Sequence, residues 1–391
     1  MGAIIDLLGV AIFIGVVGVT YQLTGLIAME RELGMSQLLD CMMPNMARWQ
    51  PQAARLIAAH LALDIVYGPG WIITGLILKY GVYSKTSAGI TTVYQILTGL
   101  ALSSFSIFGA AFFKRAQLSG ISAVISCLLL GVVAQMVPID TNGAVGVLSF
   151  LFPPMNYVFF SMFMARWERQ NLPTNLVRAA PENPWTIPGI VLWVFLIIQI
   201  FMYPVLGAFV ERLLYGTTSK SRKATTANAS TSLRLDGFTK LYQPNLFYRT
   251  IASLFKRSPQ NVLAVNNLTL DVMKGEIVVL LGANGSGKST TLDAISGLTK
   301  ISSGEILLNY GETAGRFGLC PQKNVLWDAL TVKEHAKIFN RLKALGKVDN
   351  DKQLSTLLEQ CDLGQKVSAR SKTLSGGQKR KLQLAMMFTG G

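Results

Sequence analysis

The sequence predicts a bundle of membrane-length α-helices followed by an α/β domain of the phosphate-loop type, and three observations predict it. Apolar runs long enough to cross a bilayer follow one another through the first 210 residues. The charge balance then changes abruptly. Residues 1–211 hold ten Lys/Arg against nine Asp/Glu, whereas residues 212–391 hold twenty-six against twelve, within a net charge of +15. Third, Gly282-Ala283-Asn284-Gly285-Ser286-Gly287-Lys288-Ser289 fits G-x-x-x-x-G-K-[ST] at every fixed position.

The first half reads as spans at about 7–28, 56–78, 88–112, 118–138 and 187–210, with a broken run at 143–165. Pro153-Pro154 sits inside that broken run and interrupts a helix there. Loop charge decides how it lies. Six full spans would leave eight Lys/Arg on outer loops and two on inner ones, while five spans with a re-entrant 143–165 share them five and five. The second arrangement is expected, with the N-terminus outside and the C-terminal half in the cytosol. No cleaved signal peptide is visible, because the opening lacks a basic n-region and its apolar run is too long. His60 and Asp64 share a helix face within the second run. With Arg55 close by, they are expected near its cytoplasmic end, hydrated. The four cysteines have neither metal nor disulfide spacing, which suits a reducing cytosol and a bilayer.

Residues 216–232, rich in Thr, Ser, Ala and Lys, read as a linker, and 233–391 as the second domain. Basic residues just beyond the last span face an anionic inner leaflet, and no nucleic-acid motif accompanies them. Membrane lipids, not nucleic acid, are therefore the expected neighbours. Strands are expected at Leu233–Leu235, Leu268–Val272 and Ile306–Leu308. Ile277–Leu281, continuously apolar, is expected as a strand buried on both faces of a parallel sheet. A capping box at Thr331–Glu334 opens a helix to about Leu345.

The phosphate loop carries its own chemistry. Glycines let backbone N–H groups crowd a polyphosphate, and a helix N-terminus adds partial positive charge. Through this, Gly282, Ala283, Asn284, Gly285, Ser286, Gly287, Ser289 and Thr290 hold nucleotide, Lys288 reaches its β- and γ-phosphates, and Ser289 offers a hydroxyl to Mg²⁺. ATP or GTP is the expected ligand.

Leu374-Ser375-Gly376-Gly377-Gln378 narrows the family. Here the sequence resembles ABC transporters, whose signature is LSGGQ. The resemblance implies that Ser375, Gly376, Gly377 and Gln378 contact the γ-phosphate of ATP held by a second nucleotide-binding domain. It implies that Gln322, in Gly318-Leu319-Cys320-Pro321-Gln322, reaches Mg²⁺ and the attacking water, joining Lys288 in catalysis. It implies that Tyr242 stacks on adenine, with Phe247 or Tyr248 as alternatives in an inserted segment 244–261. The stretch from Gly318 to Val332, Lys379-Arg380-Lys381, Glu30-Arg31-Glu32 and Phe112–Ala116 are similar to the A subfamily, which moves lipids. ATP-driven movement of a hydrophobic substrate, lipid by resemblance, is the implied function.

Against the family pattern, the chain begins at what resembles a second span and stops as the signature helix ends. The strand bearing the acidic residues of hydrolysis, and the switch histidine, are not in it. A half-transporter fragment without turnover of its own is expected. A reading of another class is a nucleotide-binding membrane regulator that does not hydrolyse ATP, or a truncated inactive product. An Asp–Glu pair ending an apolar strand in any continuation separates the two readings.

Overall fold

The computed structural model describes residue 9 and residues 12–42, 49–136, 141–216, 221–225, 230–243, 260–309, 317–343 and 351–390. Two compact units divide the chain: residues 1–32 with 52–215, and residues 33–51 with 216–391.

The first unit is helical. Its elements are α1 (Gly18–Leu33), most of α3 (Trp49–Gly81), α4 (Ala88–Ala110), α5 (Ala116–Met136), α6 (Asn142–Leu151), α7 (Pro153–Arg169) and α8 (Gly189–Tyr215). Among the described residues, five helices are long and apolar enough to cross a membrane: Ile12–Leu33, Trp49–Gly81, Ala88–Ala110, Ala116–Met136 and Gly189–Tyr215. Their outward faces are apolar as well. Ile65, Val66 and Phe201 are at least 70% exposed, which only a lipid surround makes cheap. Inside, the Tyr94 ring packs tilted against Phe160 with centroids 4.3 Å apart, and its hydroxyl donates to the Tyr157 carbonyl at 2.6 Å. Trp71 lies so close over Gly99 that an added Cβ would sit 2.2 Å from the indole, so glycine there sets the approach of α3 to α4.

The Pro-Pro break between α6 and α7 follows from missing donors. Neither Pro153 nor Pro154 has an N–H, so the Ser149 and Phe150 carbonyls lose their i+4 partners. Side chains replace them. Gln199 Nε2 donates to both carbonyls at 2.8 Å, and Asn156 Nδ2 donates to Ser149 at 3.4 Å and to Leu192 at 3.0 Å. The Tyr203 hydroxyl donates to the Leu151 carbonyl. A chain break inside an apolar bundle is tolerated because α8 supplies the hydrogen bonds.

Charges gather where α1, α3 and α8 meet. Arg31 and Arg55 both hold Glu211, at 2.9 and 2.7 Å, and Arg55 also reaches Glu30 at 3.2 Å. Gln52 Nε2 donates to Glu211 Oε2 at 2.9 Å, and Arg31 donates to the Ala110 carbonyl at 2.7 Å. Glu30-Arg31-Glu32 lies in the last turn of α1, with Arg31 only 2% exposed.

In the second unit a four-stranded sheet has the order β1-β4-β2-β3, from β1 (Arg222–Thr225), β2 (Thr231–Tyr242), β3 (Val262–Met273) and β4 (Ser303–Asn309). β2 runs antiparallel to β3 and β4, and β1 runs parallel to β4. Residues 222–225, expected within a linker, therefore form an edge strand. Leu235, Phe238, Ile306 and Leu308 bury one face against Ala294 of α9 (Lys288–Ser296).

The strand expected at 277–281 is absent. Residues 276–283 have no regular structure, and Ile277 and Leu281 are 91% and 88% exposed. An apolar run becomes a buried strand only when neighbours pair with both of its edges, and no described strand pairs with this one.

A second core of this unit joins α10 (Val332–Lys343), α11 (Asp351–Gln360) and α12 (Gly376–Phe388) to α2 (Met35–Met42). Met35, Leu38, Leu39 and Met42 are buried there with Val325, Leu326 and Phe339. The membrane-side boundary drawn at residue 215 thus gives up residues 33–51 to the other unit. Four apolar residues on one face of α2 are the reason.

Candidate functional site

Backbone geometry builds the phosphate loop. Gly285 and Gly287 take φ of 86° and 88°, left-handed values that suit glycine. A Cβ on Gly287 would also stand 2.5 Å from the Ala264 carbonyl of β3, so the loop rests directly on that strand. Gly287 caps α9, whose first turn offers the Lys288, Ser289 and Thr290 amides without intrahelical acceptors. Lys288 Nζ donates to the Gly282 and Ala283 carbonyls at 2.7 Å each and to Ser286 Oγ at 3.3 Å. Its ammonium therefore lies over the loop it belongs to. Residues 282–286 of the loop are exposed, Gly287 and Lys288 are half-buried, and the exposed Ser289 stands in the first helical turn. That fits a ligand of Mg²⁺ bound with nucleotide phosphates. Among the described residues no group of three His, Cys, Asp or Glu forms a metal cluster.

Tyr242 ends β2 opposite Val262, two residues before Ala264. Its ring is 41% exposed, with the Lys240 ammonium 4.7 Å from the centroid. The aromatic thus stands on the strand pair that carries the loop. Phe247 and Tyr248 lie outside the described residues.

The signature begins a helix, as its residues predict. Ser375 caps α12 in a complete capping box. Its hydroxyl accepts from the Gln378 N–H at 3.3 Å, and Gln378 Oε1 accepts from the Ser375 N–H at 3.0 Å. Leu382, Ala385 and Met386 are buried beneath. A Cβ added to Gly376 or Gly377 meets nothing within 4 Å, and neither residue has positive φ. Nothing in the described chain requires glycine at either position.

Gln322 occupies an exposed bend, and no contact joins it to the phosphate loop among the described residues. The neighbours of Gln322 are fixed by α12. Arg380 donates to the Pro321 carbonyl, and Gln383 Nε2 donates to the Lys323 carbonyl at 2.9 Å. Sequence reasoning singled out Arg380 only within the resemblance of Lys379-Arg380-Lys381 and missed Gln383; neither contact carries a signal in the sequence. Ser371 likewise holds the Trp327 carbonyl at 2.8 Å, tying residues 327–331 to the approach of the signature.

His335 pins the same segment. Its Nδ1–H donates to the Thr331 carbonyl at 2.8 Å, and Nε2 accepts from the Trp327 N–H at 3.0 Å. Burial pushes its pKa below the usual 6.5. The folded state then binds fewer protons than the unfolded one, so stability is lost as pH falls through the ordinary imidazole range. Proteolysis of residues 325–331 should quicken between about pH 7 and pH 5 in the wild type, but not in His335→Gln. Equal rates in both proteins would remove the histidine from this role.

With this geometry in place, comparison with known proteins is informative. Residues 265–390 match the ABC transporter family model. The chain is similar to ABC transporter A family member 4 of Dictyostelium discoideum, 30% identical over 324 residues, covering 71% of this chain and 19% of that protein. It is also similar to the ABC-type organic anion transporter ABCA8A of Mus musculus, 40% identical over 146 residues, covering 37% of this chain and 9% of that protein. The chain thus spans a fifth or less of the length of these relatives. Among solved structures, an ATP-binding subunit of an ABC transporter is 27% identical with a TM-score of 0.33, covering 40% of this chain and 62% of that one.

Proposed function

This chain is that of an A-family ABC transporter and a multi-pass integral membrane protein, and on that premise we propose that it serves as the ATP-binding part of a transporter that couples ATP binding and hydrolysis to movement of a hydrophobic substrate, of lipid class, through the membrane. The phosphate loop would hold ATP through its amides and Lys288, with Tyr242 against the adenine. Ser289, and Gln322 once its bend reaches the loop, would hold a Mg²⁺ ion, which would supply charge neutralisation to the nucleotide phosphates. The cytosolic face would carry both the loop and the signature. The observation that carries the reading is the pair Gly376-Gly377, which this chain's own packing leaves open. Glycine there serves something approaching from outside, and an ATP γ-phosphate on a second nucleotide-binding domain fits an exposed helix N-terminus.

Transmission would run through α2. Its apolar face shares a core with Val325 and Leu326, three and four residues beyond Gln322, while its ends lead to α1 and α3. A reconstituted transporter that contains this chain should move labelled lipid between leaflets when given Mg-ATP, and Gly377→Trp should stop transport while leaving nucleotide bound at the loop. Transport unaffected by that tryptophan would contradict the two-domain reading.

The same proposal places α6 and α7 as a re-entrant pair on the outer side, with the chain crossing five times. Cysteines substituted for Asn142 and Arg166 should then both react with an impermeant thiol reagent from outside. Reaction from opposite sides would make 142–166 a full span.

A further inference from the structure

Two basic residues beyond the last span, expected against anionic lipid, are engaged within the second unit instead, on the unexpected strand β1. Lys223 Nζ stands 2.8 Å from Glu305 Oε1 of β4. Arg222 Nε donates to the Ile295 carbonyl at 2.8 Å, in the last turn of α9. The Arg222 guanidinium also lies 5.7 Å from the centroid of the Phe317 ring, five residues before Gln322. Gly297 ends α9 with φ of 88°, and a Cβ added there would stand 3.3 Å from Arg222 Cζ, 3.4 Å from Nη1 and 3.5 Å from Nε. Three nearly equal distances mean that the guanidinium plane is laid across the end of that helix.

Elementary forces hold it there. The last carbonyls of a helix lack intrahelical donors, and the negative end of the helix dipole favours a cation. The face of the Phe317 ring attracts the same charge. The backbone that carries Arg222 is itself fixed, because β1 pairs in parallel with β4 and the Ile306 N–H donates to the Ser221 carbonyl at 2.9 Å. Helix α2 is within electrostatic reach as well. Burial pushes the Cys41 thiol up to about 12, and the Arg222 charge pulls against that rise.

We propose that Arg222 is a positioning residue that makes β1 a second connection between the phosphate loop and the last span, alongside α2. Helix α9 runs from Lys288 to Ser296, so phosphates would meet its N-terminal end while Arg222 holds its C-terminal end. A hydrogen-bonded helix of nine residues moves as one piece. Nucleotide that draws in the first turn therefore shifts the Ile295 carbonyl, and Arg222 passes that shift to β1. Residues 216–221, six in number, separate Tyr215 at the end of α8 from Arg222, and fully extended they reach at most about 20 Å. The strand is thus tied closely to a membrane-length helix. This role presupposes nucleotide at the phosphate loop, as proposed above, and is independent of the transported molecule.

Hydrogen–deuterium exchange of the purified protein, with and without Mg-ATP, tests it at the amides of residues 223–225. In the wild type, ATP should slow these by about three- to fivefold, the scale of one cation on a helix end, while it slows 283–290. Arg222→Met keeps the length of the side chain and should keep the response at 283–290 but lose that at 223–225. Arg222→Lys should restore part of it, since an ammonium still donates to a carbonyl. Without nucleotide, R222M and wild type should exchange alike at 223–225, because backbone groups make the β1–β4 ladder. Faster exchange in R222M before ATP is added would make Arg222 a strand anchor only and overturn the proposal. A wild-type ATP response at 223–225 in R222M would overturn it too. A wild-type response at the loop with none at β1 would overturn this role alone, whereas none at either place would remove the nucleotide reading and this role with it. Should R222M fail to fold, Gly297→Ala, which drives a methyl against the guanidinium, gives the second reading. It must lose the response at 223–225 and keep that at 283–290, and any other pattern would overturn the proposal equally.

Discussion

Lys288→Ala should lower ATP affinity by about 100-fold or more, read as loss of fluorescent-nucleotide binding to the purified protein. The ammonium already bridges the Gly282 and Ala283 carbonyls at 2.7 Å, so it is held over the loop before any ligand arrives. Charge-assisted contacts to phosphate are worth about 1.5–3 kcal/mol each, and one lysine reaching two phosphates makes more than one. Alanine also leaves two loop carbonyls facing the incoming anion without a cation between them. Lys288→Arg should recover only part of the affinity, because a planar guanidinium does not fit a cradle shaped for a point charge. Wild-type affinity in K288A would mean that nucleotide binds elsewhere.

Removing Glu211 should have the largest effect on the membrane unit. Its carboxylate is the shared partner of Arg31 and Arg55, whose side chains are only 1% and 9% exposed, and it also takes a hydrogen bond from Gln52. Breaking a buried pair by deleting one partner costs about 3–5 kcal/mol, because the remaining charge stays buried and uncompensated. Here Arg31 loses its carboxylate partner, and Arg55 is left with Glu30 alone. Glu211→Ala should therefore lower the melting temperature by on the order of ten degrees. Arg55→Ala should cost less, since Glu211 keeps Arg31. A melting temperature within a degree or two of wild type in E211A would mean that the cluster is hydrated.

These two sites differ in how far the sequence reveals them. The phosphate loop is local: eight consecutive residues specify a turn, a helix start and a cation, so spacing alone exposes it. The signature serine is equally local, because its capping box closes over four residues. Glu211 is different. A lone carboxylate within 27 apolar residues signals a function inside the membrane, yet its partners Arg31, Gln52 and Arg55 lie more than 150 residues away. Only folding brings them together. The contacts of Arg380 and Gln383 are hidden for the same reason, since their partners are backbone carbonyls about sixty residues back.

The failed strand at 277–281 teaches the converse. Apolar continuity reports that a segment suits a buried strand, but the strand itself exists only when ladders form on its edges. Composition carries the first condition and topology the second. The Pro-Pro break lies between these cases. Its position is visible in the sequence, whereas the amide donors that make it tolerable come from α8, more than forty residues on.

The central claim is that ATP is held at the phosphate loop and covered by a signature from a second domain. Hydrogen–deuterium exchange of the purified protein, with and without Mg-ATP, tests it most directly. Amides at 283–290 and at 375–378 should both slow when ATP is present, and K288A should abolish the effect at 283–290. Protection of the loop alone, with 375–378 exchanging at the nucleotide-free rate, would contradict the account.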